Sequence, residues 1–113
     1  MNLILFEKQE LRTDDLLLLH DFRAEHICRV LGLAAGDSLR LGMINGRLGR
    51  GTVLNIDAKT VTLAVSLDRE PPPPPPTELI LALPRPIMLQ RILKQAATLG
   101  VRRIHLIRSA KVE

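Results

Sequence analysis

The sequence predicts a mixed fold: a small, mostly antiparallel β-barrel with one helix, followed by the truncated βαβ start of an α/β domain. Three observations lead there. Residues 1–70 are short stretches of alternating or apolar residues separated by turn signals, as in small β-barrels. Six consecutive prolines, Pro71–Pro76, then interrupt the pattern. Beyond them the order becomes apolar run, amphipathic helix, apolar run, which is the order of a parallel βαβ unit.

The elements follow in order. "NLILF" (2–6) and "LLLL" (16–19) are short apolar runs flanked by charge and suit buried strands, although the second is equally compatible with a helix start. In "DFRAEHICRVLGL" the apolar residues Phe22, Ile27, Val30 and Leu31 recur at roughly helical spacing. Asp21 is placed to cap and Gly32 to terminate, so a helix is expected over 22–31. "SLRLGM" (38–43) alternates as a half-buried strand does. Asn45-Gly46 tolerates positive φ at both residues, which predicts a type I′ hairpin turn. Gly49 and Gly51 predict a bulge in the returning strand before "TVLNI", and "AKTVTLAVSL" supplies the next strand after a turn near Asp57.

The proline run lacks backbone donors and favours an extended polyproline II spacer, so 71–77 reads as a linker between two domains. A ligand for a proline-recognising partner is the other use of such a run. After it, "TELILAL" predicts a strand covered on both faces. Pro86 suits the first turn of the following helix; Met88, Leu89, Ile92, Leu93, Ala96 and Leu99 form its apolar stripe, and Gly100 its stop. "RRIHLI" is the second buried strand. Two parallel strands and one helix leave most of such a sheet uncovered, so either more chain or a partner is expected to complete it.

Composition narrows the chemistry. With no Trp or Tyr and only Phe6 and Phe22, the core is aliphatic and base-stacking aromatic platforms are nearly excluded. The single Cys28 permits no internal disulfide, and the scattered His20, His26 and His105 have no metal-ligand spacing with it; no metal is expected. The start of the chain lacks the pattern of a signal peptide, and no run is long enough to cross a bilayer, which leads to the expectation of a cytoplasmic protein without a membrane partner. Residues 1–83 carry a charge of −2 and residues 84–113 a charge of +6, so the basic excess lies entirely at the C-terminal end. That surface is either a solvated helix face or one that meets phosphate.

No catalytic constellation is visible. "GRLGRG" (46–51) has neither the order nor the spacing of a nucleotide-binding loop and reads as a bulged hairpin. The candidates for RNA contact are cationic: Arg23, His26, Arg29 and Arg40 in the barrel, and Arg85 at the strand-to-helix transition where open α/β folds bind ligands. Arg23, Arg29, Arg40, Arg47 and Arg50 are the barrel arginines that could cluster.

"EHICRVLGLAAGDSLRLG", "NGRLGRGTVLNI" and "LALPRPIMLQRILKQAATLGVRRIHLIRSAKVE" together resemble the bacterial 16S rRNA uridine N3-methyltransferase family. The matching positions are His26, Arg29, Val30, Leu31, Gly36, Asp37, Leu39 and Leu41, and then Leu99, Gly100, Val101 and Ile104. The chain departs from the family pattern at Gly32, where Arg is common, at Thr98, where Glu is usual, and at Gln95, where Lys is common beside the Lys94 present here. The resemblance implies a PUA-like RNA-binding barrel (1–70), a proline-rich linker (71–77) and the first βαβ (78–113) of a SPOUT-type knotted methyltransferase domain. It also implies S-adenosylmethionine as cofactor, bound beyond residue 113 and by no residue of this chain, and methyl transfer to uridine N3 in 16S rRNA of the small ribosomal subunit by a homodimer. The chain is then expected to be the N-terminal portion of that enzyme; the alternative is a non-enzymatic PUA-like RNA-binding module.

Overall fold

The computed structural model describes residues 3–111. Residue 2 of the first predicted strand and the final residues of "RSAKVE" lie outside the described residues. The chain divides into two compact units, Met1–Pro71 and Pro72–Glu113.

The first unit is a five-stranded sheet, curled into a half-barrel. Its strands are β1 (Leu3–Phe6), β2 (Leu16–Leu19), β3 (Ser38–Met43), β4 (Leu48–Asp57) and β5 (Thr60–Arg69), in the spatial order β1-β3-β4-β5-β2. The β3, β4, β5 and β2 neighbours run antiparallel, and β1 joins β3 in parallel. The period-2 pattern of each strand sends one set of side chains inward. Phe6, Leu17, Leu19, Leu41, Val61 and Leu63 are fully buried by this alternation. The ambiguous "LLLL" is a strand because its alternate leucines, Leu17 and Leu19, fill this core while Leu18 faces out.

The helical segment covers the open side of the core but is not the single helix expected over 22–31. One α-turn, α1 (Phe22–Glu25), runs into a π-helical turn, His26–Val30, closed by Leu31 N–H donating to the His26 carbonyl at 3.0 Å. The wider turn re-phases the side chains. Ala24 and Ile27 enter the core, whereas Phe22 and Val30, two members of the predicted apolar face, are 77% and 68% exposed. Asp21 caps as predicted, accepting from the Arg23 N–H at 2.9 Å.

The β3–β4 hairpin differs from a type I′ turn. Asn45 has φ +57°, but Gly46 does not adopt positive φ, and the turn closes from the Gly46 N–H to the Met43 carbonyl at 2.9 Å. The predicted bulge is present between Leu48 and Gly49, with a second irregularity between Val53 and Asn55. Gly49 has a steric reason: a Cβ there would lie 1.9 Å from the Ser66 carbonyl oxygen across the β4–β5 ladder.

The second unit holds β6 (Glu78–Ala82), α2 (Pro86–Thr98) and β7 (Arg103–Ile107), with the two strands paired in parallel from Glu78↔Arg103 to Ala82↔Ile107. Pro86 opens α2. Its end is a Schellman closure: Gly100 sits at φ +72° and donates to the Ala97 carbonyl, while Val101 N–H donates to the Ala96 carbonyl. The stripe read from sequence is only partly covered. Leu89 and Ile92 are half-buried and Ala96 is buried, but Met88, Leu93 and Leu99 are exposed, as are Ile80, Leu106 and Ile107 on the strands. Among the described residues no helix is long and apolar enough to cross a membrane.

Candidate nucleic-acid interface

Arg23, Arg29, Arg40, Arg47 and Arg50 do not gather into one cluster. Arg23, on α1, turns inward: its Nη1 donates to the Leu5 carbonyl at 2.8 Å and to Glu10 Oε2 at 3.1 Å, its Nη2 to Glu10 Oε1 and to Asp21 Oδ2, and its Nε to both Asp21 oxygens at 3.0 Å. The side chain is only 15% exposed. Every guanidinium edge is occupied, which leaves no donor for phosphate and corrects the expectation that Arg23 is an RNA contact. Glu10 also accepts from the Glu7 N–H at 2.7 Å, closing the 3-10 turn Lys8–Glu10. Hydrogen bonds from Arg23 hold the Glu10 and Asp21 carboxyls below their ordinary values, outweighing the opposing effect of desolvation. The same bonds raise Arg23 above its own.

Arg29 is exposed and pairs with Glu25 one turn earlier at 2.9 Å. It does not pair with His26, which is half-buried at the start of the π-turn. The face of this turn lines a cleft of about 430 Å³ together with the β4–β5 loop, where His20, Arg29 and Lys59 alternate with Asp21, Glu25 and Asp57. That mixed-sign lining gives no net attraction for an anion. Arg47 is neutralised by Glu70. Arg85 is exposed at the N-cap of α2 in extended conformation, in the second unit, and makes no side-chain capping bond.

Arg40 and Arg50 remain. They are register partners across β3 and β4 and lie on the same, outward face of the sheet. Arg50 Nη2 donates to Ser38 Oγ at 2.9 Å. Among the described residues neither arginine pairs with a carboxylate. A shallow groove of about 360 Å³ beside them has Leu31, Leu33 and Leu39 as its apolar wall and Ser38, Arg40 and Arg50 as its polar one. Arg50 was not among the site candidates read from the sequence. Counting outward from a two-residue Asn45-Gly46 turn would have placed Arg50 opposite Leu41; the observed register, shifted by one residue, sets it opposite Arg40.

These cationic faces sit on a chain with close relatives. It is 38% identical over 109 residues to ribosomal RNA small subunit methyltransferase E of Treponema pallidum (strain Nichols), a match that takes in 95% of this chain. Over the part it spans, the chain is similar to ribosomal RNA small subunit methyltransferase E. The chain spans 41% of that relative's length. A solved structure described as a probable rRNA-methyltransferase from Porphyromonas gingivalis is 26% identical and superposes with a TM-score of 0.70, over 96% of this chain and 46% of its own. A methyltransferase structure from Legionella pneumophila, solved with the cofactor SAM bound, shares the fold with a TM-score of 0.68 at 21% identity, over all of this chain and 50% of its own. No protein-family model matches the chain.

The groove on the second unit does not fit S-adenosylmethionine. It is bounded by Lys94, Gln95, Thr98 and Leu99 and contains no carboxylate to receive ribose hydroxyls. It is an open strip along α2, unlike the enclosing pockets that hold small cofactors.

Proposed function

We propose that this chain is the RNA-docking portion of an S-adenosylmethionine-dependent enzyme that methylates N3 of a uridine in 16S rRNA, acting as a homodimer in the cytoplasm. The observation that carries the reading is the 38% identity to ribosomal RNA small subunit methyltransferase E across 95% of the chain. In this reading residues 1–70 are a PUA-like barrel, 71–77 a linker, and 78–113 the opening βαβ of a SPOUT-type domain. The SAM-bound fold relative supports the choice of cofactor.

The barrel's part is positional. Contacts from Arg40 and His26 to phosphates orient the RNA without reading its sequence, and Arg85 supplies charge at the start of α2. Uridine N3 becomes nucleophilic only after losing its proton, a step that needs a base or a stabilising charge near the reacting atom. That chemistry is assigned here to no residue of this chain.

The test is genetic and chemical. A methyl group on N3 blocks Watson–Crick pairing, so reverse transcription of 16S rRNA from the native organism should arrest at one uridine. Deleting the gene should abolish that arrest, and restoring it should bring the arrest back. An unchanged arrest pattern after deletion would remove this function.

A further inference from the structure

The geometry points to a phosphodiester clamp formed by Arg40 and Arg50 on the outer face of the half-barrel, with the Leu31–Leu33 groove beside it receiving the attached nucleoside. The inference rests on the RNA-docking reading and names the surface that would do the docking.

Like charges directly opposite across an antiparallel ladder repel, and sheets normally avoid or neutralise them. Here Arg40 and Arg50 are register partners. Four other arginines of the unit are answered by carboxylates, Arg12 by Asp14, Arg23 by Glu10 and Asp21, Arg29 by Glu25 and Arg47 by Glu70, whereas Arg69 at the end of β5 has no such partner among the described residues but also no arginine opposite it. Arg40 and Arg50 have no such partner among the described residues, and their nearest named company is a hydroxyl, Ser38. An uncompensated pair at one register position is what a bridging anion would relieve.

The chemistry of the neighbourhood selects the anion. The ladder positions flanking the pair are also hydroxyl-bearing: Ser38 is opposite Thr52, and Arg50 is opposite Ser66 on β5. These three are exposed on the face that carries the arginines. Two guanidiniums with hydroxyls around them match a tetrahedral oxyanion carrying several acceptors, and guanidinium forks pair well with phosphate. The groove of about 360 Å³ is walled by leucines on one side, at the low end of the size of small-ligand clefts. A phosphate attached to an apolar-faced ring system therefore fits better than a free inorganic anion. Guanidinium planes can also stack on unpaired bases, which a chain without Trp or Tyr has few other means of doing.

The experiment measures binding of the 113-residue chain to transcribed 16S rRNA between 50 and 200 mM salt. It compares the R40Q/R50Q variant with R12Q/R47Q, which loses the same formal charge from arginines already paired with Asp14 and Glu70. R40Q/R50Q should bind on the order of tenfold more weakly at low salt, and its log–log salt slope should flatten by roughly 0.7 to 0.9, the change for one phosphate. R12Q/R47Q should leave both nearly unchanged. Removing the repulsion should also leave the melting temperature of R40Q/R50Q at or above that of the unaltered chain in low salt. If the chain binds RNA and the two double variants behave alike, the clamp is wrong and the docking reading stands. If the unaltered chain shows no RNA binding at 50 mM salt, the docking reading fails and the clamp with it. A drop in melting temperature confined to R40Q/R50Q would make the pair a structural feature and overturn the clamp.

Discussion

The guanidinium of Arg23 grips the carboxylate of Glu10, thirteen residues earlier in the chain, and through Leu5 and Asp21 ties the 3-10 turn, the first strand and the helical segment together. Because Arg23 is mostly enclosed, this network has stability consequences that the exposed pairs Arg12–Asp14 and Arg47–Glu70 lack.

The network makes stability depend on pH with a definite sign. Glu10 and Asp21 both titrate lower in the folded chain than their ordinary values of 4.5 and 3.8, principally through hydrogen bonds from Arg23. The unfolded chain therefore binds more protons in acid. Their contribution is complete above the ordinary carboxylate range and is lost as pH falls through the lowered folded values. Arg23→Gln should cost about 2 kcal/mol at pH 7, since charged hydrogen bonds are lost and two carboxylates stay behind. The gap between variant and unaltered chain should shrink as pH drops below 4.5. Denaturant midpoints measured from pH 7 to pH 3 would reveal it; parallel profiles would refute the assignment.

How much of this was legible beforehand depends on the range of the interaction. Strand spans, the Asp21 cap, the Gly100 stop and the bulge beside Gly49 are written in local spacing, and the structure has them. The resemblance of the segments pointed to the family for the same reason, since motifs are local. Arg23 was misread because its partner Glu10 lies in a turn that only the folded chain brings near. The π-turn was missed because its i→i+5 bond serves tertiary packing of Ile27, and residue spacing alone favours a regular helix. At the hairpin, Asn45 adopted the left-handed conformation without Gly46, so the dipeptide signalled a turn but not its type. The Arg40–Arg50 opposition was not legible, because the expected two-residue turn sets Arg40 opposite Gly51 and only the longer loop of the folded chain shifts the register by one.

The two units should differ in local stability. The first buries an eleven-residue apolar cluster, aliphatic but for Phe6, in its five-stranded sheet. The second offers one two-stranded parallel sheet, and Ile80, Ile87, Leu99 and Leu106 remain more than half exposed. Parallel sheets gain stability from cover on both faces, and a two-stranded one has little to draw on. Backbone amides of β6 and β7 should therefore exchange with solvent about tenfold faster or more than those of β4 and β5. Amide exchange followed by NMR would test this, and equal protection in both sheets would contradict it.

Gly49 and Gly32 separate two reasons for glycine, and their alanine variants should behave differently. At Gly49 an added Cβ would fall 1.9 Å from the Ser66 carbonyl oxygen and 2.7 Å from the Leu67 Cα, both backbone atoms of β5 that cannot rotate away. Relief requires the β4–β5 ladder to open at its bulge, so Gly49→Ala should cost about 3 kcal/mol, the upper part of the usual overpacking range. Gly32 has φ +62° and nothing within 4 Å of where a Cβ would stand. Its cost is then conformational only, about 1 kcal/mol for an L-residue held in the left-handed region. Asn tolerates that region, so Gly32→Asn should recover part of the loss, whereas Gly49→Asn should be worse than Gly49→Ala. Urea unfolding of the four variants distinguishes the cases. If Gly49→Ala proved as mild as Gly32→Ala, the close approach of β4 to β5 would be wrong. The hairpin alignment that sets Arg40 opposite Arg50 runs along the same strand, so the Gly49 series also probes the frame on which the clamp is built.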